Sequence, residues 1–189
     1  MRFLDPLAGM RPPRVPARPA ALLVTLLAAF LLGGCVGIYE QRVVTAPESA
    51  LEEGASVAIA RPADGHYGET RYEGSGRAAA ASVRAAFAAH SDRVEAFAIC
   101  QSVNCLRGHT GNGFDYYAVP RILHWEERAT EWSGRPDRIR VKLSVYAADG
   151  ESPLASSIII GESNLLTLGG DHPQDLLREP IVDYVDSLY

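Results

Sequence analysis

Lysine is almost missing from this chain: of its 18 basic residues only Lys142 is a lysine, a bias of the kind a GC-rich genome produces. Positive charge is scarce altogether, with 18 basic residues against 23 acidic ones. Nucleic-acid binding rests on a basic face that neutralises phosphates, so nucleic acid is not expected as a partner. Also absent are HExxH, GxSxG, a phosphate loop and any repeated metal-ligand spacing, which leaves no motif for hydrolysis, nucleotide binding or metal chemistry. Cysteine is limited to three residues, and two cysteines without a nearby ligand pair do not build a tetrahedral zinc site. No catalytic residue and no metal follow from such a chain.

What is present is concentrated at the N-terminus. Arg2, Arg11, Arg14 and Arg18 precede an apolar run from Ala20 to Leu32, closed by Leu31-Leu32-Gly33-Gly34-Cys35. A spanning helix needs about 20 apolar residues, so a run of this length reads as the core of a signal peptide. Small glycines give a peptidase an extended grip, and the cysteine after them offers a thiol for diacylglycerol attachment. Residues 1–34 are therefore expected to be a lipoprotein signal, with a diacylglycerol and an N-acyl chain, palmitate among them, on Cys35 and no other cofactor. Each buried methylene is worth about 0.8 kcal/mol, so more than one acyl chain gives a stable anchor. Val36, where an aspartate would retain the protein in the inner membrane, points to the outer membrane, facing the periplasm.

Cleavage would leave 155 of the 189 residues, the size of one domain, and remove four basic residues and one acidic one. The remainder carries 14 basic against 22 acidic groups, a net charge of −8. With Cys35 acylated, Cys100 and Cys105 are an even pair in a compartment that permits disulfides. Two readings stay open: a bridge closing an irregular loop, or two separate reduced thiols.

Residues 35–54 read as a lipidated N-terminus and tether, and 55–189 as a single periplasmic domain. Val57 to Ala60 is a short apolar strand, Ser75 to His90 an alanine-rich helix capped by Ser75, and Asp92 to Ile99 a second strand, which makes a βαβ unit with parallel pairing. Glycines at 108, 111 and 113 leave only a short helical turn near Ser102 to Leu106. Tyr116 to Trp125 is a strand in which Pro120 demands a bulge or an unpaired edge. Arg138 to Tyr146 alternates Ile139, Val141, Leu143 and Val145 with Arg140, Lys142, Ser144 and Tyr146, and turns at 147–150 into a partner spanning Leu154 to Leu166. Asp171 and Gln174 form a capping-box pattern before a helix that starts or kinks at Pro180. The sum is an α/β (α+β) fold: a mixed sheet of about five strands with a βαβ start, a C-terminal antiparallel meander and helices packed on it.

The blocks Ile122 to Asp137 (ILHWEERATEWSGRPD), Gly169 to Leu177 (GGDHPQDLL) and Tyr184 to Tyr189 (YVDSLY) resemble an uncharacterised bacterial lipoprotein family, domain of unknown function 4823. The resemblance runs from about Ala55 to the C-terminus and implies an envelope lipoprotein with no catalytic residues to carry over. The glycine-rich stretch 108–113 departs from it, since a more regular second helix belongs there.

One constellation remains. His124, Trp125, Glu126, Arg128, Glu131 and Trp132 place two indoles among carboxylates, an arginine and a histidine, a candidate binding surface. Indole faces stack on sugars and carboxylates accept hydroxyl hydrogen bonds, so a glycan- or peptidoglycan-binding module is one reading. A hairpin with Trp125 and Trp132 packed across strands or into the core is the blander one. A hydrolase-like enzyme using His124, Glu126, Asp171 and His172 requires those four to converge. The expected function is a non-enzymatic binding or accessory role, tied to the membrane by lipid and to an envelope protein or cell-wall partner.

Overall fold

In the computed structural model, residues 38–128, 135–163 and 172–189 are described. Cys35, Glu131, Trp132 and Asp171 lie outside them. The chain divides into a unit of residues 1–34 and one of residues 35–189, and the fold is that of the second.

Strands β1 (Ile38–Thr45), β2 (Val57–Ala60), β5 (Val94–Phe97), β6 (Tyr116–Glu126), β7 (Arg138–Ala147) and β8 (Ala155–Glu162) build one sheet in the order β1-β8-β7-β6-β2-β5. A two-stranded ribbon of β3 (His66–Tyr67) and β4 (Thr70–Arg71) stands beside it. Helices α1 (Ser75–Phe87), α2 (Val103–Thr110) and α3 (Arg178–Asp186), with a 3-10 turn at Asp175–Leu177, complete the α+β fold. No helix among the described residues is long and apolar enough to cross a membrane.

β2 pairs in parallel with both β5 and β6, and Val57, Ala58, Ile59 and Ala60 are all buried. An unbroken apolar run is what a strand covered on both faces requires. Helix α1 makes the crossover from β2 to β5, as a βαβ unit demands. Its stripe of Ala79, Ala80, Val83, Ala86 and Phe87 is buried, and the alanines let it lie close to the sheet. The meander β6-β7-β8 is antiparallel throughout. Ile139, Val141, Leu143 and Val145 of β7 face the main core with α1 and α3. A smaller core under α2 holds Ala58, Ala60, Cys100, Leu106, Phe114 and Tyr117.

Several expectations need correction. The stretch expected to be a tether holds β1, which pairs with β8 from Ile38↔Glu162 to Thr45↔Ser156, and Leu51 is buried with its N–H bonded to the Leu188 carbonyl at 2.8 Å. β1 is an edge strand with nearly all its side chains exposed, so it has no alternation to read, and only its partner β8 reveals it. Ser75 does not cap α1. Its hydroxyl accepts from Gly65 N–H (2.8 Å) and donates to the Tyr72 carbonyl (2.7 Å), while Asp64, far upstream, accepts from Gly76 N–H (3.0 Å). Gly76 is pressed so close to the loop after β2 that a Cβ would strike the Pro62 carbonyl oxygen.

Helix α2 is longer than a turn. Ser102 caps it by accepting from Cys105 N–H (3.3 Å), and it runs through Gly108 to end at Gly111. Arg107 fastens it to the β7–β8 hairpin by donating to the carbonyls of Ala147 (2.8 Å) and Gly150 (2.6 Å). Pro120 pairs in register with Leu143, and the irregularity falls later, between Ile122 and His124. Proline is tolerated because β2 pairs only with Tyr116 to Ala118; beyond that point this edge of β6 needs no backbone donor. At the C-terminus, α3 begins at Arg178, which leaves Pro180 in the first turn, where a missing N–H costs nothing.

The two faces of the four antiparallel strands differ. One carries the main core beneath α1 and α3. On the other, register aligns Arg42, Ile158, Lys142 and Arg121 in one row across the sheet. Glu40, Ile160, Arg140 and His124 form the next row, and Ile38, Glu162, Arg138 and Glu126 the third.

Candidate functional site

The residues singled out around 124–132 are split by strand geometry. Trp125 is opposite Ile139 on the core face and only 2% exposed. Gly65 packs against it so closely that a Cβ there would overlap the Trp125 Cβ. Its indole is therefore not available to stack on a sugar, and the paired-tryptophan surface is corrected on that point. Burial followed from the period-2 pattern once the irregularity before His124 had reset which residues face inward.

His124 and Glu126 share the open face, as their spacing predicts. His124 Nε2 lies 3.2 Å from Glu126 Oε2, and the Arg128 guanidinium pairs with the other carboxylate oxygen. Glu126 is 3% exposed; a carboxylate this buried needs partners, and it has both a guanidinium and an imidazole. Tyr67, from the β3–β4 ribbon, closes the group. Its hydroxyl accepts from Arg128 Nη2 at 2.8 Å, its ring lies beneath the guanidinium at 5.2 Å, and the His124 ring meets it edge-on at 5.4 Å. The backbone N–H of Arg128 is held by the buried Asp137, whose own N–H donates to Ser163 Oγ at 2.9 Å. Together they flank a cleft of about 380 Å³ floored by β7 and β8.

Sequence reasoning missed Tyr67. It sits in a polar loop more than fifty residues upstream, and only the ribbon's passage along the free edge of β6 brings it here. Nor do His124, Glu126 and His172 converge. His172 Nδ1 pairs with Glu127 Oε1 at 3.1 Å, and Glu127 lines a cleft with Trp125 and the first turn of α1, on the helix-covered side. Asp171, the fourth member, lies outside the described residues. Among the described residues no group of three or more histidine, cysteine or carboxylate side chains is arranged to hold a metal. The cluster is a rigid polar surface whose carboxylate is already engaged.

Cys100 and Cys105 form a disulfide, Cα–Cα 5.3 Å. Cys100 is wholly buried in the second core, and Cys105 lies in the first turn of α2, so the bridge pins the start of that helix beside the end of β5.

Fold and site together define an α+β domain whose sheet is covered by α1 and α3 on one face, and on the other by α2 at one end and open along the rest of the meander. The chain belongs to the family described as domain of unknown function 4823, whose sequence model matches residues 49–188. No curated protein matches it in sequence. Two structures of the PelC dodecamer from Paraburkholderia phytofirmans share its fold at 14% identity, covering 81% of this chain and 97% of theirs, with TM-scores of 0.59 and 0.56. A Xanthomonas campestris protein of family 330 among the domains of unknown function aligns at 12% identity over 76% of this chain and 93% of its own, TM-score 0.46.

Proposed function

We propose that this protein is a lipid-anchored envelope protein, attached through Cys35 and facing the periplasm from the outer membrane, whose open sheet face binds another envelope component without catalysing a reaction. The observation that carries this reading is the bare face itself. Beyond the end of β6 and β7 that α2 covers, four antiparallel strands present Arg, Lys, Glu, His and Ile side chains in three aligned rows, and mixed polar and apolar surfaces of this kind suit recognition. The leader ending in Cys35 supports the anchor, and the Cys100–Cys105 bridge suits an oxidising compartment. Only Val36 and Gly37 separate Cys35 from β1, so the reach of the chain, about 3.5 Å per residue, keeps the sheet edge within roughly 10 Å of the anchor.

Metabolic labelling with a fatty-acid probe, followed by membrane fractionation, tests the anchor. Incorporation that Cys35→Ala abolishes supports it; a labelled Cys35→Ala protein, or an unlabelled wild type, overturns it. For the binding role, a photo-crosslinking residue at Arg140 is expected to capture a specific envelope partner, and the same residue at Arg84 on α1 is not. Equal capture from both positions overturns the role of this face.

A second reading is self-association. PelC is named as a dodecamer, and here Ile38, Val43 and Val44 are exposed on an edge strand, a surface that invites pairing. Sedimentation of the detergent-solubilised protein decides it: a monomer at micromolar concentration removes this reading.

A further inference from the structure

Beyond the carboxyl end of β2 the sheet opens into a second groove, of about 580 Å³, between the loop after β2, the first turn of α2 and the open face of β6 and β7. In sheets with parallel strands, such crevices at strand carboxyl ends are where ligands bind. Arg121 and Lys142 line it, and they are direct register partners on adjacent antiparallel strands. Like charges placed opposite one another repel. Here nothing offsets them: among the described residues neither forms an ion pair, and neither does Arg140, two residues from Lys142 on the same face. The carboxylates nearby on that face are already engaged, Glu40 by Arg42, Glu162 by Arg138 and Glu126 by Arg128. Asp64 also lines the groove, but its carboxylate is held by Gly76 N–H and by Arg71 at 3.2 Å. Three unpaired cations in a chain of this acidity are thus gathered on one patch.

Ser144 gives a second, independent sign. It is only 6% exposed, lines the groove, and its hydroxyl has no hydrogen-bond partner among the described residues. A hydroxyl that lines a groove without a protein partner is free to donate to a ligand there, and this one is two residues from Lys142 on the same face of β7. The first turn of α2, held by Ser102 and the disulfide, borders the same space, and the first amides of a helix have no intrahelical acceptor.

We propose that this groove is an anion-binding site for a phosphate-monoester group, with Arg121 and Lys142 as its cations and Ser144 as its hydroxyl donor. A guanidinium fork, an ammonium and a hydroxyl offer more donors than the two oxygens of a carboxylate use, and two positive charges match a dianion. Val119, Pro120 and Ile122 give the groove an apolar wall, so an organic phosphate fits better than the bare ion. The shared chemistry belongs to soluble phosphoesters and to lipid headgroups alike.

Lys142 makes the test specific, because it is the only lysine in the chain. The full-length protein in neutral detergent is treated with an uncharged N-hydroxysuccinimide acetate, and acylation of Lys142 is followed by peptide mass spectrometry. The soluble arm compares inorganic phosphate and glycerol 3-phosphate with chloride at matched ionic strength. The lipid arm compares micelles doped with phosphatidic acid with micelles doped with phosphatidylcholine. A bound anion is expected to slow Lys142 acylation about fivefold or more near saturation, and Arg121→Gln and Ser144→Val are each expected to abolish most of that protection, while Arg84→Gln keeps it. Arg121 is exposed, so its substitution leaves the core intact. Protection in one arm alone identifies the source of the phosphate and supports the site. Equal rates in both arms, or protection that survives Arg121→Gln, overturn it.

Discussion

Reducing the Cys100–Cys105 bridge probes stability and compartment in one experiment. The bond joins residues five apart in sequence, and constraining so short a loop in the unfolded chain is worth about 2 kcal/mol in the chain-entropy treatment. Reduction, unlike replacement of the wholly buried Cys100 by alanine, leaves both sulfurs in place and opens no cavity, so the loss should stay near that figure. For a domain of this size about 2 kcal/mol lowers the melting temperature by roughly 4–8 °C. The assay uses the full chain recovered from bacterial envelopes, alkylated with a maleimide before and after reduction, with parallel thermal unfolding by circular dichroism. If Cys35 carries the proposed lipid, no thiol should react before reduction, because Cys100 and Cys105 are bonded to each other; afterwards both should react. Alkylation of those two without reductant refutes the bridge and the oxidising compartment together. A single reactive thiol that maps to Cys35 refutes lipid attachment. Verified reduction with no change in melting temperature refutes the loop-closure reasoning.

Tyr184 is 2% exposed and its hydroxyl is buried without a partner, so Tyr184→Phe is expected to stabilise the protein by about 1 kcal/mol, read as a higher urea midpoint at unchanged slope; a lower midpoint shows a missed partner. His90 bonds Asp186 at 2.7 Å and Glu53 at 3.1 Å, and the Asp186 carboxylate above all, with Glu53, raises its pKa against the opposing pull of burial. Because the folded value lies above the unfolded 6.5, this contribution is complete below that pH and is lost as pH rises through the folded value. His90→Gln should accordingly cost about 0.5–1 kcal/mol in mild acid and less in alkali; a gap constant with pH refutes the pairing. For Asp64, burial pushes the carboxyl up, but Gly76 N–H, Arg71 and Gly74 N–H together hold it below its ordinary value. Asp64→Ala should cost about 1 kcal/mol through the lost cap of α1, a difference complete above the unfolded 3.8 and shrinking as pH falls through the lower folded value; calorimetric scans across that range check it.

Much of the framework was legible because burial leaves a period behind. Val57 to Ala60 reads as a short apolar strand, the β7 alternation as a half-buried strand with one polar face, and the alanine-rich run as a helix. β1 was illegible for the opposite reason: an edge strand exposed on nearly every side chain has no pattern of its own. The cap of α1 was misassigned because the nearest serine is the local candidate, while the actual acceptor, Asp64, reaches Gly76 only through the path of the loop after β2. The candidate site was half visible. His124 and Glu126 share a face by spacing alone, but Trp125 was placed by packing against Gly65, and Tyr67 by the course of a ribbon.

The sequence by itself determined the order of elements from β2 and α1 through β5 to the β6-β7-β8 meander and α3, and the polar row Arg140, Lys142, Ser144 and Tyr146, since each depends on residues adjacent or regularly spaced along the chain. Only the tertiary structure decided which strand lies beside β7 and in what register. That pairing sets Arg121 against Lys142 above a buried serine, closes Cys100 onto Cys105, and joins β1 to the sheet. Register is a property of two strands at once, fixed by backbone hydrogen bonds between distant segments and by the core they cover, and no single stretch of sequence carries it.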